Sequence, residues 1–333
     1  MAFCRTFVRQ RKFMTQSAFL RWTVFASRDT IFTMSYFYLI LLGAIWGASY
    51  LLIKIGGESI PTVTFVMGRT GLAAVTLFLI ALLRREKLPS WRAPVWRWLW
   101  VMGLLNSVIP YTLITWGETR VSSGLAAILV GAMPIFTVLL AHRLTHDEKI
   151  TPLKALGIAA GFVGVVILFL PDVLEGATFT LMGGAAILLA AASYALATIQ
   201  ARKHLKGYPH ATVSLGQMLT ASALLIPASL LFDQPWTLQP TTASLVALAF
   251  LAVVGTALAY LMYYWLIEHV GATRTSLVTY ISPVIAIFLG AAILNESLHW
   301  TTFAGLSLIV AGVGLVTRKR APDAVPLVTA EEM

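Results

Sequence analysis

Read for hydropathy alone, the chain alternates between apolar blocks about twenty residues long and short polar breaks. A block of that length crosses a hydrocarbon layer of roughly 30 Å as a helix. Ten blocks stand at about 36–54, 62–83, 96–115, 122–142, 154–171, 179–200, 211–232, 243–266, 274–294 and 301–317. A backbone inside lipid must satisfy its own hydrogen bonds, and barrel strands would alternate in polarity over about ten residues, so only helices fit this pattern. The expected fold is an all-α integral membrane protein with ten transmembrane helices.

The blocks repeat. Tyr111, Trp116, Val121 and Pro134 recur without a gap as Tyr260, Trp265, Val270 and Pro283. Ala48-Ser49-Tyr50 returns as Ala192-Ser193-Tyr194, and Glu148, Gly157 and Gly164 return as Glu296, Gly305 and Gly312. These echoes describe a duplicated half. Five spans per half is an odd number, so the second copy enters the membrane from the opposite side and the two repeats are inverted. Inverted repeats are a common plan of secondary transporters, in which two packings of the halves open a midplane site to alternate sides. The expected division is a basic extension over 1–34, a five-helix repeat over 35–171, a second over 178–318 and a tail over 319–333.

Composition agrees with the pattern. Apolar residues make up 58% of the chain and charged residues 11%, against roughly 45–50% and about 25% in soluble domains. The net charge of +10 raises the question of nucleic acid, but the Lys and Arg sit in the breaks between blocks, which argues against it. With the N-terminus in the cytoplasm, all but Lys54, Arg69 and Arg120 of the 24 Lys and Arg are cytoplasmic. The positive-inside bias therefore places both termini there, in a cell inner (plasma) membrane protein. The first 34 residues are basic and acid-poor, and they admit three readings: an organelle-targeting peptide, a surface-lying helix, or an over-extended start ahead of Met34. The lone Cys4 excludes an internal disulfide.

The Trp46-Gly47-Ala48-Ser49-Tyr50 run, Lys54, Arg69, the Pro134 span followed by Asp147-Glu148, the Gly157, Gly161 and Gly164 series and their second-half echoes resemble the EamA family of the drug/metabolite transporter superfamily. The resemblance covers about residues 35–318. It implies a ten-helix basket around a central cavity, and usually an exporter of amino acids or other small metabolites from bacteria.

Several residues are candidates for that work. A guanidinium inside a span costs at least about 2.5 kcal/mol on insertion scales, so Arg69 is expected to face a wet or paired interior, with Glu58 and Glu118 as possible charge partners. Snorkelling is the competing account, since Arg69 lies about 10 Å below the start of its span at 1.5 Å per residue. Lys54 either shares that role or anchors a helix end. Trp46, Tyr50, Tyr111, Tyr194, Tyr260 and Tyr280 offer ring faces with a polar tip, suited to amphipathic or cationic ligands. Ser49, Asn106, Ser193, Gln217 and Ser282 form a smaller polar set, which either lines the cavity or bonds helix to helix. Pro134 and Pro283 can bend their helices and act as gates or hinges, or simply pack. The glycines of spans five and ten mark close contacts, within the molecule or across a homodimer.

Some chemistries have no residues to carry them. No Asp or Glu falls in the middle of a predicted span, which leaves Glu118, Glu268 and Glu296 near span ends for any proton coupling. The six histidines fall in breaks or at span ends, with His142 and His146 alone four residues apart, and no metal site is predicted. No phosphate loop is present, so neither ATP nor another cofactor is expected. The expected function is secondary transport, export of small amphipathic metabolites, with a small-molecule substrate and the lipid bilayer as partners, as a monomer or homodimer. An importer or exchanger of the same fold is one alternative. An integral-membrane lipid-modifying enzyme is another, although the short loops show no catalytic group for it.

Overall fold

The computed structural model describes residues 34–86, 89–90, 92–144, 150–175, 177–270, 275 and 278–317. The N-terminal extension, the tail, the Asp147-Glu148 pair and the Glu268 side chain lie outside what is described. Among the described residues the chain is helical, and ten apolar helices follow one another: α1 (Met34–Gly57), α2 (Thr62–Leu83), α3 (Val95–Glu118), α4 (Ser123–Leu144), α5 (Pro152–Leu174), α6 (Thr178–His204), α7 (His210–Phe232), α8 (Thr242–Leu266), α9 (Val278–Leu294) and α10 (Trp300–Thr317). Each expected span falls within or close to one helix. The helices run longer than the apolar blocks where charge suits their ends: α6 continues through Arg202, Lys203 and His204, cations that favour a helix C-terminus.

The breaks carry ordinary start signals. Pro61, Pro94 and Pro209 stand immediately before helices, where a missing N–H is harmless. Ser122 and Thr241 cap the next turn, accepting from Leu125 N–H at 3.2 Å and Ser244 N–H at 3.2 Å. Asp233 crosses from the end of α7 to accept from Thr64 N–H at 2.7 Å, at the positive end of α2.

Packing follows the duplication. Helices α2 and α7, α4 and α9, and α5 and α10 each lie against their own copy. The cross pair of α3 with α7 has its counterpart in α8 with α2. This is the arrangement a pseudo-two-fold axis between inverted repeats requires. Along α5 and α10 the contact is backbone to backbone: a Cβ on Gly157 would come within 2.7 Å of Gly312 O, and one on Gly164 within 2.9 Å of Gly305 O. Gly157 and Gly164 are the repeat echoes of Gly305 and Gly312, so the contact is reciprocal. Of the glycines read from the sequence as close-contact marks, Gly157, Gly161 and Gly312 are covered within the molecule, whereas Gly314 meets nothing within 4 Å.

Two helices depart from regular α geometry at matched places. Leu104–Val108 in α3 and Val253–Leu258 in α8 are π turns. They begin at positions related by the same offset as Tyr111 and Tyr260. A third irregularity has no twin. Helix α4 breaks at Ala132 and restarts at Met133, with Pro134 in the first turn of the new segment, whereas Pro283 lies inside the continuous helix α9. The two proline helices touch where Gly131 faces the Pro283 ring. The expected pair of equivalent prolines is thus one helix break and one helix-interior proline.

Candidate functional site

A π turn leaves backbone carbonyls without their regular partners and often marks a functional position. Here side chains supply the bonds. Ser193 Oγ, from α6, donates to Leu105 O at 2.7 Å, and Thr256 Oγ1 donates to Leu251 O at 2.9 Å. In α3 the widened turn is followed by Pro110, which has no N–H to return to the preceding turn.

Just beyond each π turn stands a tyrosine, and the two meet. The Tyr111 and Tyr260 hydroxyls are 3.3 Å apart. Asn106 Nδ2 donates to Gln217 Oε1 at 3.0 Å and to Tyr260 Oη at 3.3 Å. Gln217 Nε2 donates to Ser107 Oγ at 3.0 Å and to Tyr260 Oη at 3.3 Å. On the other side of Tyr111, the Arg69 guanidinium carbon sits 3.8 Å from the ring centroid, and Arg69 Nε donates to Thr256 Oγ1 at 2.9 Å. Arg69 is only 7% exposed. One continuous polar chain therefore runs Thr256, Arg69, Tyr111, Tyr260, Asn106, Gln217 and Ser107, joining α2, α3, α7 and α8. It lies where the two repeats face each other.

A second cluster occupies the end of the bundle where α1 and α3 finish. Asn295 adopts φ +54°, a left-handed conformation that Asn tolerates. That turn brings Glu296 N–H back to Gly290 O at 3.1 Å. The Glu296 carboxylate then accepts from Ser123 N–H and Ser123 Oγ, both at 2.8 Å, at the start of α4, and from Lys54 Nζ at 3.3 Å. A Cβ on Gly290 would collide with this carboxylate. Beside it opens a cavity of about 380 Å³, lined among others by Lys54, Glu58, Thr115, Glu118 and Glu296.

The remaining sequence candidates are distributed around these two centres. Trp46 packs against Tyr263, ring centroids 5.4 Å apart. Tyr50, Tyr194 and Tyr280 pack on the main apolar core. Ser49 donates to its own helix at Ile45 O, and Ser282 donates to Val278 O and across to Gly43 O. Their hydroxyls are thus taken up by backbone. The suggested charge partners are redistributed: Arg69 forms no ion pair with Glu58 or Glu118, and the salt bridge found among the described residues is Lys54 with Glu296. Sequence reasoning missed Ser107, Thr115 and Thr256, which carry no signal beyond being hydroxyls in apolar blocks. Glu296 was visible as the echo of Glu148 and as a carboxylate near a span end, not as a partner of Lys54.

The family comparison bears directly on this arrangement. The EamA-like transporter family matches residues 33–170 and, a second time, residues 181–318. The chain belongs to the EamA-like transporter family. Among similar proteins, the "Uncharacterized inner membrane transporter YedA" of Escherichia coli (strain K12) is 30% identical over 84% of this chain and 89% of its own length. The "Uncharacterized transporter YoaV" of Bacillus subtilis (strain 168) is 26% identical over 82% of this chain and 93% of its own. A crystal structure at 18% identity superposes with a TM-score of 0.60, covering 86% of this chain and 97% of that one, which speaks for the fold alone. This EamA-family protein is therefore a membrane transporter with two family repeats, and the family points to transport rather than to enzyme chemistry.

Proposed function

We propose that this protein is an inner-membrane secondary transporter that exports small amphipathic metabolites, such as amino acids or related compounds, by alternating access. The observation that carries the reading is the meeting of Tyr111 and Tyr260, repeat-matched residues, beside the buried Arg69. A polar chain at this depth is expensive in lipid and is found where substrates pass. The tyrosine pair forms a waist. Above it the cavity of about 380 Å³ falls in the range of roughly 300–1,000 Å³ usual for small-ligand sites.

In this mechanism the halves rock about the axis between the repeats, with both termini cytoplasmic. Parting Tyr111 from Tyr260 opens the waist, and Arg69 offers its charge to an anionic group such as a carboxylate. The cavity at the Lys54 end is then the outward vestibule. Pro134 and Pro283 act where α4 and α9 touch, at a break and a weakened helix respectively.

The test is a resistance screen. Cells expressing the protein are challenged with a panel of toxic amino acids and analogues, and resistance should appear for at least one and vanish in Arg69→Ala at equal membrane abundance. Sensitisation through accumulation would reverse the direction, and full resistance in Arg69→Ala would remove Arg69 from the pathway.

A further inference from the structure

The cavity at the Lys54 end holds a group that the transport reading leaves unused. Glu118 is 2% exposed, and neither of its carboxyl oxygens meets a hydrogen-bond partner within the protein. The Thr115 hydroxyl, one turn earlier on α3, also lacks one. Both residues line the cavity. An unpaired carboxylate shut away from water is costly, so a fold that keeps one beside a cavity has a use for something that binds it reversibly.

Its surroundings narrow the choice. The charged groups facing Glu118 are Lys54 of α1, Glu58 in the turn after it, Arg69 of α2 and Glu296 beyond α9, with the Tyr50 phenol also nearby. Glu296 is held by Lys54 and the start of α4. Arg69 is directed at Thr256 and Tyr111. Arg120, next along the chain, lies over the Trp116 ring at 3.6 Å. The charged groups of α4 and α6, His142, Arg143, Arg202, Lys203 and His204, sit at the opposite ends of those helices, and the Tyr194 phenol of α6 lies toward Tyr111, Arg69 and Tyr50. Glu118 therefore has charges around it and a fixed partner in none of them. Among the described residues no group of three His, Cys, Asp or Glu is placed to hold a metal ion, whereas a proton needs only the carboxylate.

We propose that Glu118 is the coupling residue of the transport cycle, taking up a proton from the solution that reaches the Lys54-end cavity and releasing it to the other side when the halves rock. This rests on the transport reading. The step forms one O–H bond on the carboxylate and breaks it on release, with no other reactant. Protonation removes one negative charge from the wall of the cavity that substrate must also cross. With the Lys54 end outward, a proton entering there moves opposite to an exported substrate, so the exchange is an antiport.

The test needs no knowledge of the substrate. Full-length protein in liposomes is titrated while the C=O stretch of protonated carboxyl groups is followed by infrared difference spectroscopy. The wild-type band grows as pH falls. Glu118→Gln, eluting as wild type on size exclusion, should lose one component of it, and Glu58→Gln should keep that component. Glu118→Asp, which retains a carboxyl, should shift the component, so the assignment does not depend on the Gln variant folding. An unchanged band in Glu118→Gln or an unshifted one in Glu118→Asp overturns the proposal. Loss of the component when Na⁺ or K⁺ replaces N-methyl-D-glucamine at constant pH also overturns it, because an inorganic cation is then the ligand. The band is read without transport, so failure of the resistance screen and failure of this proposal are separate results.

Discussion

Replacing Gln217 by Leu removes three hydrogen bonds at once, to Asn106, Ser107 and Tyr260. The side chain is fully buried, and Leu is close to it in volume, so no cavity term is added. Interhelical hydrogen bonds in membranes average about 0.6 kcal/mol, which puts the loss near 2 kcal/mol. The partners are not stranded equally. Asn106 and Tyr260 keep each other, and Tyr260 keeps Tyr111, while the Ser107 hydroxyl loses the partner it has. Leaving one buried hydroxyl unpaired adds about 1–3 kcal/mol to this unless it turns to a backbone carbonyl, so about 2–5 kcal/mol brackets the effect. Reversible unfolding of protein in bicelles measures it directly. Asn106→Leu and Gln217→Leu combined should cost less than the sum of the single changes, since removing both partners strands fewer groups. Strict additivity, or a single-variant effect below about 0.5 kcal/mol, would refute the network as a coupled unit.

The glycine seam and the Glu296 anchor lend themselves to simpler contrasts. Gly157→Ala, whose Cβ would press on Gly312 O, should destabilise by about 1–3 kcal/mol. Gly314→Ala meets nothing within 4 Å and should be neutral or slightly stabilising, by up to about 1 kcal/mol from helix propensity; thermal unfolding of the two side by side decides. Glu296→Gln weakens both the Lys54 pair and the charged cap on α4, and should cost about 1–3 kcal/mol. The same loss is expected from Gly290→Ala, which displaces the carboxylate, and a wild-type melting curve in both would show the anchor to be idle.

Depth was readable from the chain and azimuth was not. Block length and spacing told how far each residue lies from a helix end, which is why Thr62–Leu83 was anticipated to the residue. Which way a side chain points round a uniformly apolar helix has no signature, since every face is apolar. That is why Glu118 and Glu58 were offered as partners for Arg69 when the pair that forms is Lys54 with Glu296. The repeat marked Tyr111 with Tyr260 and Trp116 with Trp265 alike, yet only copies near the symmetry axis touch each other. Distance from that axis is a tertiary quantity. Nor did any residue pattern announce the π turns, whose carbonyls are met by Ser193 from α6 in one case and by Thr256 of the same turn in the other.

The widened turns set where the two tyrosines aim. Each contains more residues than a regular turn, and one residue of an α-helix corresponds to about 100° of rotation. If the same residues were wound as a regular α-helix with none removed, Tyr260 would swing by roughly that angle, away from Tyr111. The aim of the waist is thus stored in the extra residue each widened turn absorbs, in the way a spacer sets the phase of a thread, and tightening either turn without removing that residue is enough to put its two sides out of step.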